Sequence, residues 1–117
     1  MSKIIIEANT SYLAQDAVVF LLKGGFSAKT ARISYAVRKA LPPVEQVENY
    51  PLILEGFIGN SPVSIYVYSV TAGYGGTGPH AMVDILKAAG FTFDESDILT
   101  DRMKVGPSEQ ITLTYER

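Results

Sequence analysis

The chain has 117 residues, 47% hydrophobic and 19% charged, which is enough for one domain around one core and too little for two. Ten basic against twelve acidic residues leave a net charge of -2, which argues against a general nucleic-acid coat; the lack of cysteine excludes disulfides, thiol nucleophiles and cysteine-type zinc sites. The longest apolar run, Ala17 to Leu22, has core length rather than membrane-spanning length, so the expected setting is the reducing cytoplasm, with neither membrane nor nucleic acid as partner.

Ile4 to Ala8 is a β-branched run closed by Asn9-Thr10-Ser11 and reads as a first strand. Tyr12 to Lys23 follows as a mostly buried helix, stopped by Gly24-Gly25. Ser27 offers an N-cap for a second helix over Ala28 to Leu41, with Phe26 as a hydrophobic staple against Ala31 and Pro42-Pro43 as its end. On that helix Ile33, Ala36, Val37 and Ala40 would form an apolar face, and Lys29, Arg32 and Lys39 a basic one, to which Arg38 adds a further charge. Leu52 to Ile58 and Val63 to Val70 are strands joined at Gly59-Asn60-Ser61-Pro62, a hairpin signal. In the second of these, Ile65 and Val67 alternate with Ser64, Tyr66 and Tyr68, giving one aliphatic face and one aromatic, polar face.

A helix from Pro79 to Ala89 is stopped by Gly90; Asp94 to Asp97 caps a single helical turn; Gly106-Pro107 marks a loop; Ile111 to Tyr115 is a last strand. The expected fold is therefore a single α+β domain over 1–117, a mainly antiparallel sheet of about four strands with helices on one face and the terminal strands paired centrally.

The segment from Gly73 to His80 concentrates the candidate chemistry. Four glycines in six positions cost conformational entropy, which a loop tolerates where it needs positive φ or close approach of something to its backbone. Pro79 as the first helical residue would leave amide groups at the helix N-terminus aimed at the loop, a natural phosphate site. The stretch formally satisfies G-x-G-x-x-G, yet Pro79 starts the helix only after Gly78 and the preceding strand belongs to a hairpin, so a Rossmann reading fails; no Gly-Lys-Ser or Gly-Lys-Thr follows, so a Walker loop fails too. Against the phosphate site stands a plain strand-to-helix turn.

Positive charge is segregated: residues 1–41 hold six basic and two acidic side chains, and 42–117 hold four and ten. Arg32, Arg38 and Arg102 are the candidates for bidentate phosphate contacts, against a solvated surface as the alternative. His80 is the only histidine and could donate to phosphate; with no cysteine and no second histidine it suggests neither a metal site nor a triad. Asp94, Glu95, Asp97 and Asp101 could hold Mg²⁺, but such a cluster more often caps a short helix. Tyr74 lies in the glycine loop and could stack on a base, whereas Tyr66 and Tyr68 also suit cross-strand packing.

The strand, then Gly73-Tyr74-Gly75-Gly76-Thr77-Gly78-Pro79-His80, then a short helix ending Ala88-Ala89-Gly90-Phe91, resembles the small phage proteins that sequester cyclic nucleotide signals, nearest in size and layout to the anti-Thoeris sponges. The resemblance covers Tyr66 to Phe91. It implies a symmetric homo-oligomer that binds a cyclic ADP-ribose isomer without cleaving it, no enzyme, no cofactor and no metal. The residues themselves point to a small phosphorylated nucleotide held by Tyr74, Gly75, Gly76, Thr77, Gly78, His80, Arg32, Arg38 and Arg102. Two other readings stand beside this one: an inhibitor or immunity-type module that pairs its hairpin edge with a partner sheet, and a small phosphoesterase using His80 with a metal on Asp94 or Asp97.

Overall fold

Two helices lie over one face of a five-stranded sheet in a computed structural model that describes residues 2–34, 51–70, 77–99 and 112–117. The elements run β1 (Ser2–Ile6), α1 (Ser11–Lys23), β2 (Phe26–Ser34), β3 (Leu52–Ile58), β4 (Ser61–Val67), α2 (Thr77–Ala88), α3 (Ser96–Leu99) and β5 (Thr112–Glu116). Strand order is β1-β4-β3-β2-β5, with β1 parallel to β4 and every other pairing antiparallel, so the α+β class holds with one strand more than expected.

The helix-covered face follows from alternation. Ile6, Val67, Leu52 and Ile33 lie in one row across four strands, and Ile65, Leu54 and Ala31 lie in the next; all are buried. Ala14 and Val18 of α1, with Ala81, Met82, Ile85 and Leu86 of α2, complete the same cluster. Period-2 aliphatics on the strands meet a 3.6-period stripe on the helices, and each buries what the other would leave in water. The opposite face carries Ile5, Tyr66, Ile53, Arg32 and Thr114 in one row and Lys3, Ser64, Glu55, Thr30 and Glu116 in the next.

Several expected boundaries hold. Thr10 caps α1 by accepting the Leu13 amide at 3.2 Å, and Gly24 closes it. The turn joining β3 to β4 is only Gly59-Asn60, and a positive φ of 60° at Gly59 but not at Asn60 is the type II′ pattern that suits the twist of a hairpin. Asp94 accepts both the amide and the hydroxyl of Ser96, which starts the single turn of α3.

Two expectations are overturned. No helix begins at Ala28: Phe26 to Ser34 is strand β2, hydrogen-bonded on both sides. A bulge between Ala28 and Thr30 changes the phase of the strand, so Phe26, Ala28, Ala31 and Ile33 are all buried although their spacing is not strictly two. The helical reading rests on Ser27 as an N-cap and on Ile33, Ala36, Val37 and Ala40 at helical spacing, and of those four apolar residues only Ile33 is described. Pairing with β3 and β5 outweighs the modest helix preference of Ala, Lys and Arg. The continuation to Leu41 lies outside the described residues. The terminal strands are not central either, because β2, β3 and β4 form a consecutive antiparallel meander in the middle and leave β1 and β5 only the two edges.

Asp94 provides a local prediction. Hydrogen bonds from the Ser96 amide and then from its hydroxyl favour the charged carboxylate and hold its pKa below the ordinary value. A depressed carboxylate pKa contributes stability that is complete above about pH 4, the unfolded value, and is lost as pH falls through the folded value. In urea titrations between pH 2 and 5, wild type is expected to lose stability relative to Asp94→Asn as the medium is acidified; parallel curves would refute the capping role.

Candidate functional site

β1 and β4 are neighbours and run in the same direction, so both end at the same edge of the sheet, and a helix follows each of them on the covered face. The start of α1 and the start of α2 are thereby brought to one side, and the two helices touch. Crevices beyond the carboxyl ends of parallel strands are where sheets of this local geometry receive ligands.

A cavity of about 600 Å³ opens at this edge, lined by Glu7, Ala8, Asn9, Tyr68 and Ser69. Its floor is braced across the two strand ends. The Tyr68 amide donates to the Ile6 carbonyl at 2.9 Å; the Ser69 hydroxyl donates to the Ala8 carbonyl at 2.5 Å and accepts from the Ala8 amide at 3.3 Å. Ser69 makes these bonds from φ 67°, and it is the only described residue besides glycine with positive φ. That conformation costs an L-residue on the order of 1 kcal/mol or more and persists because the double bridge to Ala8 holds it.

The electrostatics of this edge come from the backbone. Within the first turn of α1, the Leu13 and Ala14 amides are taken by the Thr10 side chain and carbonyl, which leaves the amides of Ser11 and Tyr12 beside Asn9. Neither α1 nor α2 has an acidic residue in its first turn, so no side chain of either helix competes for its positive end. Glu7 is the one charged residue in the described lining and brings a carboxylate suited to hydroxyl or amine donors.

The sequence candidates are distributed as follows. Thr77 and His80 are exposed at the start of α2, whereas Gly78 and Pro79 between them are buried. Helix α2 begins at Thr77, two residues earlier than expected. Tyr74, Gly75, Gly76, Arg38 and Arg102 lie outside the described residues. Arg32 sits on the sheet face away from the helices and is 3.5 Å from Glu55; with 53% and 37% of these side chains exposed, the pair contributes at most about 1 kcal/mol. The sheet therefore separates Arg32 from His80 within one chain, and the basic helical face that grouped Lys29, Arg32 and Lys39 does not form over 28–34.

The acids are spoken for singly. Asp94 caps α3, Glu95 pairs with Lys87 at 2.8 Å, and Asp97 accepts from the Tyr115 hydroxyl at 2.8 Å; Asp101 lies outside the described residues. Lys87 marks the last turn of α2 and His80 its first, about 10 Å apart along the axis, and among the described residues no three histidine, aspartate or glutamate side chains are grouped as a metal ion would need. The hairpin of β3 and β4 has no open edge, since β2 and β1 flank it. Sequence reasoning missed Glu7, Asn9 and Ser69; the Asn9-Thr10-Ser11 turn was the available signal, but nothing local shows that it meets the end of β4.

No protein-family model matches the chain, and neither the curated proteins nor the solved structures include a match.

Proposed function

We propose that the chain binds a small phosphorylated nucleotide at the common end of β1 and β4, and holds it without chemical turnover. The observation that carries this reading is the open, mainly polar cleft of about 600 Å³ beside Glu7, Ala8, Asn9, Tyr68 and Ser69, set where two helices begin. Amides at the start of α1 and the start of α2, where Thr77 and His80 are exposed, suit the phosphates. The Tyr68 ring suits a base and the Glu7 carboxylate suits ribose hydroxyls, the pairing by which a carboxylate reads ribose elsewhere. Tyr74, Gly75 and Gly76 precede Thr77, the first residue of α2, in sequence and belong to the same reading, and the resemblance to anti-Thoeris sponges would make the ligand a cyclic ADP-ribose isomer and the role sequestration.

The test is thermal stabilisation by ADP-ribose, cyclic AMP, ATP and cyclic ADP-ribose isomers. A ligand at a hundred times its Kd adds about 2.7 kcal/mol of stability, a rise in Tm of about 10 °C for a chain of this size. Tyr68→Ala and His80→Ala are each expected to remove most of the shift, and the nucleotide is expected to be recovered intact after heat denaturation. The absence of a shift with every compound would overturn the reading, and recovery of cleaved products would make the protein an enzyme.

A further inference from the structure

Helix α1 buries Ala14 and Val18 and turns its opposite side outward, and that side is not a solvated polar face. Phe20 is 76% exposed, Tyr12 54% and Leu13 52%. Only two charges lie on this stripe, Asp16 and Lys23, both exposed, and neither forms an ion pair with a described residue. Phe20, Tyr12 and Leu13 thus share one exposed face of α1, a contiguous apolar patch rather than the singly scattered apolar residue that any monomer shows.

The spacing of the two charges selects the occupant. Asp16 and Lys23 are equidistant from a point between Val19 and Phe20. If a second α1 crosses antiparallel with a two-fold axis through that point, Asp16 of each copy stands opposite Lys23 of the other, and the two Phe20 rings meet at the axis. A parallel crossing would instead set Asp16 against Asp16 and Lys23 against Lys23. Antiparallel helices also oppose their dipoles favourably. The arrangement has the anatomy of a small isologous interface, an aromatic centre with charge pairs at the rim, and carries Tyr12 and Leu13 just past the partner's Gly24-Gly25 turn. We propose that α1 is a homodimer interface of this antiparallel kind, a proposal independent of the nucleotide reading.

A helix of 13 residues is about 20 Å long and 10–12 Å wide, so the stripe covers well under the roughly 800 Å² per partner of a standard stable interface. The dimer is therefore expected to be weak and concentration-dependent, with a Kd in the micromolar range. Sedimentation velocity between roughly 5 and 500 μM tests it, and the weight-average mass is expected to climb from monomer towards dimer. Phe20→Ser, at a site too exposed to matter for folding, is expected to weaken association more than tenfold with an unchanged circular dichroism spectrum. Asp16→Lys and Lys23→Asp are each expected to weaken it severalfold, and the double exchange to restore it. A wild-type chain that stays monomeric throughout, an assembly indifferent to Phe20→Ser, or a double exchange that fails to rescue would overturn the proposal.

Discussion

Gly56→Ala is expected to lose about 3 kcal/mol or more of stability, as the tightest site for an added methyl group among Gly24, Gly25, Gly56, Gly59 and Gly90. A Cβ at position 56 would stand 1.9 Å from the Ser27 carbonyl oxygen, 2.8 Å from the Ser27 carbonyl carbon and 2.9 Å from the Ala28 Cα. All three are backbone atoms of β2, so no side chain can turn aside; the strands must part where Ala28 pairs with Gly56, next to the bulge. Overpacking a flexible core costs about 1–3 kcal/mol, and a rigid backbone neighbour places this site at or beyond the upper end. Out of a total of some 5–15 kcal/mol for a domain, that is a large share. Urea denaturation measures it. The control is Gly59→Ala, where φ is positive, unlike at Gly56, but nothing lies within 4 Å of the added methyl, so only the strain of the turn, about 1 kcal/mol, is expected. Equal losses at the two positions would show that β2 and β3 do not approach as closely as described.

Leu54→Ala is the second large effect. Leu54 is fully buried on the middle strand of the sheet, between Ala31 on β2 and Ile65 on β4, under the helices. Neighbours on three sides belong to regular elements that cannot collapse into the space, so the loss should fall in the upper part of the 2–5 kcal/mol range for such truncations. Ile53→Ala, one residue away on the opposite face and only partly buried, is expected to cost less than half as much. The difference between the two midpoints in urea tests which face of β3 carries the core; the reverse order would put the helices on the other side.

Some features were legible because their cause is local. Alternation of Ile65 and Val67 with Ser64, Tyr66 and Tyr68 assigns the faces of β4 before any partner is known, and Val63, Ile65 and Val67 do face the core. The α1 helix is bracketed by a capping threonine and two glycines, each acting within one turn. Strand β2 was not legible, because the bulge near Lys29 breaks the period of two that marks a strand, and Ser27 reads as a helix cap ahead of apolar residues that recur at helical spacing from Ile33 onward. Nothing in Phe26 to Ser34 itself announces that β3 and β5 will supply hydrogen-bond partners on both sides.

The candidate site divides the same way. Thr77 and His80 could be placed at a helix N-terminus from Pro79 alone, since proline favours a first-turn position and cannot donate within one. Glu7, Asn9 and Ser69 could not, because the cavity exists only where the ends of β1 and β4 lie side by side, 61 residues apart in the chain at the Ala8–Ser69 bridge.

By its own order of residues, then, this chain determined the α+β class, the hairpin turn, both long helices and the aliphatic face of the central strands, all consequences of caps, turns and periodicity acting over a few residues. Tertiary structure alone decided that Phe26 to Ser34 is a strand, that the chain ends lie at opposite edges, and that Arg32 and His80 stand on different sides of the sheet. Those outcomes depend on which hydrogen-bonding edge a segment meets, and that is a contest between distant segments for the same partners.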